Sequence, residues 1–181
     1  IHENVAWDYM EFSRDWHRAV ESAVAVCFGT LAQRLPVSRR TIRALLNGQK
    51  EKRLVVFDVN LRQHYFDRPL IEDSLKLARL VKLNQDEVRV LCRVLEIPAT
   101  TDEQFCLHIL QQFDVDAVCV TRGDQGCLMV DRSGVADVPG IPVDVVDTVG
   151  AGDAFTAAWV VSQLRGLNLA KQAEFANRVG A

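Results

Sequence analysis

The sequence lacks several features that would each point to a different class of protein. It has no unbroken apolar stretch of the ~20 residues that a membrane-spanning helix needs. Positive charge is not in excess: 21 Lys plus Arg stand against 24 Asp plus Glu, a formal net charge of −3. No broad basic field is therefore available for nucleic acid, and the short cluster Arg39, Arg40 and Arg43 reads as one solvated helix face. There is no Cys-x-x-Cys pair. The five cysteines, Cys27, Cys92, Cys106, Cys119 and Cys127, are odd in number and lie among apolar neighbours. They read as free thiols of a reducing compartment, the cytoplasm, rather than as disulfides or a zinc site. His2, His17, His64 and His108 show no metal-ligand spacing. Repeats, low-complexity stretches and linkers are missing too, so the 181 residues read as one domain or a large piece of one.

What is present is an alternation of short apolar runs with helical patterns. Residues 23–28, 54–57, 80–83 and 117–121 are Val- and Leu-rich and read as buried strands. Between them, helices are expected from a Ser38 cap through Leu46 to Gly48, over 71–79, over 85–95 and after Thr101. Residues 127–130 and 135–138 flank Asp131-Arg-Ser-Gly134, a hairpin turn. A last helix, from Gly152 to Leu164, is apolar on nearly every side and is expected to be central. The pattern predicts an α/β fold: a mainly parallel sheet covered on both faces, with ligands bound beyond the carboxyl ends of its strands.

The chemistry concentrates in Asp147-Thr-Val-Gly150-Ala-Gly152-Asp153-Ala-Phe155. Two glycines and an alanine ahead of a helix let backbone N–H groups converge on an anion, and the helix N-terminus adds partial positive charge. Such a nest suits a transferring phosphoryl group. Asp153, at the helix start, can accept a proton from a hydroxyl held beside it. Read more plainly, the same residues are a tight loop with an acidic first turn.

This nine-residue stretch resembles the C-terminal signature of the PfkB, or ribokinase-like, carbohydrate kinases. Phe57-Asp-Val-Asn-Leu-Arg62, Lys82-Leu-Asn84-Gln-Asp-Glu87 and Thr121-Arg-Gly123-Asp-Gln-Gly126 agree with the family in order and spacing, so the resemblance covers nearly the whole chain. The departures are small: Trp159 stands where a smaller or aliphatic residue is usual, Arg122 where an aliphatic residue or Lys is common, and Val59 where fructokinase-like members often carry Pro. The resemblance implies a three-layer sandwich around a Rossmann-like sheet, incomplete here. The chain would be the C-terminal portion of a single kinase domain, without the lid and the N-terminal sugar-binding part. Ile1 in place of Met, and an end within a continuing helix, fit a chain cut at both ends.

The resemblance also implies roles. Asp153 becomes the catalytic base, and Gly150, Ala151 and Gly152 the anion hole. Thr121, Gly123 and Gly126 would line the nucleotide loop, although a strand-to-hairpin turn explains those glycines equally. Asn84 and Glu87 match an Asn-x-x-Glu element associated with phosphate and hydrated Mg²⁺; a helix cap with an acidic first turn accounts for both as well. Asp147 and Val149 fall where members hold a monovalent cation such as K⁺. Asn177 falls where the adenine is approached, and it reads equally as a solvated helical Asn. Asn60 and Arg62 could grip a phosphate or a substrate carboxylate, or Arg62 could pair with Asp58 to fix the loop. The implied activity is ATP- and Mg²⁺-dependent phosphorylation of a primary hydroxyl of a small sugar, with a fructokinase-like substrate favoured. Ribose, a keto-deoxy sugar acid, a nucleoside and a vitamin precursor remain alternatives, as does a non-catalytic nucleotide or sugar sensor. The expected partners are small molecules and a second copy of the intact protein, with no nucleic acid or membrane. The chain alone is expected to have little or no activity.

Overall fold

The computed structural model describes residues 1–144, 147 and 149–181. Six strands form one sheet in the order of the sequence: β1 (Ala25–Phe28), β2 (Leu54–Asp58), β3 (Leu80–Asn84), β4 (Ala117–Thr121), β5 (Cys127–Asp131) and β6 (Gly134–Val138). The first four run parallel, and β4, β5 and β6 pair antiparallel. The helices are α1 (Arg14–Ser22), α2 (Pro36–Leu46), α3 (Arg68–Leu77), α4 (Gln85–Leu95), α5 (Asp102–Phe113), α6 (Ala151–Leu164) and α7 (Leu169–Gly180).

The strands alternate their side chains between two cores. Val55, Phe57, Val81, Leu83, Val118 and Val120 face a core with Leu70, Leu91 and Phe105 of α3, α4 and α5. Leu54, Val56, Leu80, Cys119 and Met129 face the opposite core, with Phe155 and Trp159 of α6 and Ala173 of α7. The result is the three-layer α/β sandwich expected from the sequence. No described helix is long and apolar enough to cross a membrane.

Several local expectations need correction. Ser38 does not cap α2: the helix starts at Pro36, whose fixed φ suits the first turn, and the buried Ser38 Oγ instead accepts the Met10 N–H at 2.9 Å. Helix α3 starts earlier than the sequence suggests, because the Asp67 side chain caps it by accepting from Leu70 N, and it ends at Leu77. Helix α6 is not wrapped in protein on all sides. Phe155, Ala158 and Trp159 are buried, but Val161 and Leu164 are 39% and 50% exposed. The reason lies in the sheet: β1 is its edge among the described strands, so that side of α6 has no strand beneath it. The basic cluster on α2 is not merely solvated, since Arg43 pairs with Asp73 at 2.9 Å and ties α2 to α3. Cys106, Cys119 and Cys127 are buried as free thiols, whereas Cys27 lies open on the edge strand.

The first residues of the chain, which carry no sequence signal of their own, are anchored by a buried ion pair. Arg34 donates to both oxygens of Asp8 at 2.6 Å, to the His2 carbonyl at 2.7 Å, and stacks over the Tyr65 ring 4.7 Å from its centroid. The hydrogen bonds from Arg34 hold the Asp8 carboxyl below its ordinary value of 3.8. A depressed carboxylate contributes stability that is present above its ordinary pKa and lost as pH falls through the lowered one. Arg34→Met should therefore lower the urea midpoint at neutral pH, and its gap to the wild type should close as pH falls below 3.8. A gap independent of pH would refute this account.

Candidate active site

Gly150 precedes α6 with φ +87°, a left-handed conformation that glycine adopts without strain, and no side chain among the described residues caps the helix there. The N–H groups of Gly150, Ala151, Gly152 and Asp153 find no acceptor among the described residues, as expected of an uncapped first turn. Asp153 is exposed. It lines a groove of about 480 Å³ that runs along the sheet face between β1, β2 and α6, with Ala25, Cys27, Val56, Asp58 and Thr156. The candidate anion nest and a solvent-facing carboxylate thus adjoin at the start of α6, with the carboxylate on the wall of the groove. Thr148 of the motif lies outside the described residues.

Beneath this turn sits a charged pair to which the sequence motifs give no role. Asp58 and Lys82 are neighbours in register on β2 and β3, only 7% and 9% exposed, with Lys82 Nζ 3.3 Å from both Asp58 oxygens. The Thr156 hydroxyl lies 3.0 Å from Asp58 Oδ2 and 2.9 Å from the Gly152 carbonyl, and its single proton can satisfy one of them at a time. Burial raises the Asp58 pKa, against the pull of Lys82 and Thr156. Although Cys27 is exposed as a residue, partial burial of its thiol beside α6, together with the Asp58 charge, pushes it up to about 11. The alternative pairing of Asp58 with Arg62 does not form. Asp58 turns into the sheet face toward Lys82, while Arg62 is exposed and donates to the Leu61 carbonyl at 3.0 Å.

Asn60 carries φ +43° and accepts from Thr30 Oγ1 through its carbonyl, which fixes the loop after β2 and leaves the Arg62 guanidinium in solvent. Asn84 and Glu87 form a reciprocal cap on α4: Asn84 Oδ1 accepts from Glu87 N, and Glu87 Oε2 accepts from Asn84 N, both at 2.9 Å. Glu87 Oε1 also accepts from Leu61 N at 2.7 Å, so this buried carboxylate holds the loop after β2 to the start of α4. Burial raises its pKa. No group of three or more His, Cys, Asp or Glu among the described residues is arranged to hold a metal. Both Glu87 oxygens already accept amides, an environment that suits contact with a hydrated Mg²⁺ through an intervening water.

In the turn after β4, Arg122 N donates to the Gly126 carbonyl at 2.7 Å and Gly126 N to that of Gly123 at 3.0 Å. Gly126 is required there twice over: its φ is +91°, and a Cβ would lie 2.0 Å from the Val138 carbonyl oxygen. Gly123, at φ +59°, has open space around it. The Thr121 hydroxyl lies 3.4 Å from the Leu83 carbonyl. Arg122 anchors this turn by pairing with Asp102 at 3.1 Å and Asp137 at 2.9 Å. Asn177 is buried rather than solvated, and its Nδ2 donates to the Pro139 carbonyl at 2.8 Å. Asp147 Oδ1 accepts from Val149 N at 2.9 Å, and Val149 is 88% exposed.

The model of the pfkB family carbohydrate kinase matches residues 4–181. An uncharacterised sugar kinase from Pyrococcus horikoshii is 33% identical over the whole of this chain, which covers 56% of that relative. Its crystal structure superposes with a TM-score of 0.80 over 99% of this chain and 57% of that one, and its complex with ATP with a TM-score of 0.77. Aminoimidazole riboside kinase of Salmonella typhimurium is 34% identical over 62% of this chain and 36% of its own length. A fructokinase of Escherichia coli is 31% identical over 57% of this chain and 34% of its own. The chain spans little more than half the length of the first of these relatives.

Proposed function

Because the chain belongs to the pfkB family of carbohydrate kinases, we propose that it supplies the phosphoryl-transfer machinery of the full-length enzyme, which moves the γ-phosphoryl of ATP to a primary hydroxyl of a small sugar. The observation that carries this is the exposed Asp153 carboxylate beside four backbone amides with no acceptor among the described residues, together at the start of α6. The sugar oxygen attacks phosphorus as the bond to the β-phosphate oxygen breaks. Asp153 takes the hydroxyl proton, and ADP leaves with the bonding pair. The amides of Gly150, Ala151 and Gly152 face the charge that builds on the transferred oxygens, and they are fixed before the reaction starts.

The remaining residues frame the nucleotide. The turn Thr121–Gly126 lets backbone approach it closely, Asn177 fixes the neighbouring Pro139 segment, and Asn84 borders the phosphates. Mg²⁺ would shield the β and γ oxygens, with Glu87 touching its hydration shell. Asp147 and the Val149 carbonyl are the groups for a monovalent cation that would stiffen the loop ahead of Gly150. Asn60 and Arg62, at the end of β2, remain for a phosphate or a substrate oxygen. A fructokinase-like substrate is favoured by Phe57-Asp-Val-Asn-Leu-Arg62, and the likeness to both a fructokinase and an aminoimidazole riboside kinase keeps furanose-shaped acceptors together.

The test is acceptor-dependent ADP release by the full-length protein with fructose, ribose, a keto-deoxy sugar acid and a nucleoside. ADP should appear with an acceptor and not without one. Nucleotide binding with no turnover across the panel would instead indicate a sensor.

A further inference from the structure

We propose that Lys82 is the side-chain cation of the phosphoryl-transfer site, reaching the transferred group through the gap left by the missing side chain of Gly152. This rests on the reading of Asp153 as the base. Gly152 lies in the first turn of α6 at ordinary helical φ, so nothing in its backbone demands glycine. A Cβ built there would meet one described atom within 4 Å, Lys82 Nζ, at 3.2 Å. The glycine therefore keeps open the space between a buried ammonium and the amide nest in front of it.

The surroundings of Lys82 fit that role. A lysine flanked by buried Leu and Val in a strand costs desolvation, which a purely structural position would avoid with another aliphatic residue. Two of its three N–H donors are directed to Asp58 Oδ1 and Oδ2, both at a long 3.3 Å, and the third has no partner among the described residues. Asp58 aims the ammonium without holding it tightly, and the Thr156 hydroxyl lies within hydrogen-bond distance of both Asp58 and the Gly152 carbonyl, donating to one at a time, so cation, carboxylate and nest are packed side by side. With a phosphoryl group in the nest, the free N–H would point at an equatorial oxygen. Its charge would be worth most in the transition state, where the charge on those oxygens is spread and water is excluded.

Two variants of the full-length protein test this, assayed by steady-state kinetics with ATP and an accepted sugar. Lys82→Gln keeps a hydrogen-bonding side chain for Asp58 and removes the charge; kcat should fall about 100-fold, as for loss of one preorganised donor. Inhibition by ADP, which lacks the transferred group, should change by less than about threefold, because only interactions made in the transition state are lost. Turnover within about threefold of wild type would overturn the proposal. Gly152→Ala keeps lysine and amides and closes the gap. Its melting temperature should hold or rise, since Ala favours the helix, while kcat falls about tenfold. An unchanged kcat there overturns the route through the gap, and this decides the matter should Lys82→Gln fail to fold. Retained turnover in Asp153→Asn would instead sink the underlying assignment, whatever Lys82 does.

Discussion

Asp153→Asn in the full-length protein is expected to lower kcat by about three orders of magnitude, in the upper part of the range for removal of a positioned general base. Asparagine matches the carboxylate in size and can still accept a hydrogen bond, but it cannot take the proton. The KM for ATP should change little, because the nucleotide contacts proposed here lie on the turn after β4 and near Asn84. Stability should hardly move: Asp153 is exposed, and loss of a first-turn charge costs roughly 0.3–1 kcal/mol. A drop in kcat with an unchanged melting temperature identifies the base. Near-normal turnover would remove it from that role. Asp58 is not an equal alternative: it is buried, engaged by Lys82 and Thr156, and raised by desolvation, so its proton balance is committed to the pair.

How far the sequence announced this arrangement depended on the range of the interaction that fixes each part. Helix α4 and strand β4 were legible to the residue, because the signals are local. Asn84 and Glu87 stand at capping spacing, and an unbroken Val-rich run precedes a glycine turn. The glycine turn before α6 was legible for the same reason. Capping by Ser38 was misread because a hydroxyl near a helix start resembles a cap until a distant partner, Met10 N, claims it. The partner of Asp58 was missed because Arg62 is the nearby cation along the chain, whereas Lys82 is the nearby one across the sheet. A usable signal existed: Lys82 is the one charged residue within an apolar strand, and the twofold alternation puts it on the face that carries Leu80, as it puts Asp58 on the face of Val56. The Asp8–Arg34–Tyr65 cluster had no such signal, since its members are brought together only by the fold.

The departure at Trp159 leads to the largest effect expected on stability. Its side chain is fully buried on α6, among Leu54, Val56 and Leu80 of the sheet and Ala173 of α7, and its Nε1 donates to Gln172 Oε1 at 3.0 Å. Gln172 in turn donates to the Leu167 carbonyl at 2.6 Å, which braces the turn between α6 and α7. A tryptophan is accommodated here because the small Ala173 and Ala176 make room and a buried amide satisfies the indole. Trp159→Ala should lower the unfolding free energy by about 3–5 kcal/mol, the range for truncating a buried aromatic. Trp159→Phe keeps most of the volume but leaves the Gln172 carbonyl unpaired, and should cost about 1–3 kcal/mol. Urea unfolding of the two variants separates packing from hydrogen bonding. Equal losses in both would mean that the indole–glutamine bond, and not the filled volume, supplies most of the stabilisation. Trp159 lies about 1.7 turns along α6 from Asp153 and faces the core rather than the cleft, so kcat per folded Trp159→Phe molecule should stay within about twofold of wild type. That separation is what a rigid helix provides: its buried middle carries stability, and its exposed first turn can change without disturbing the core.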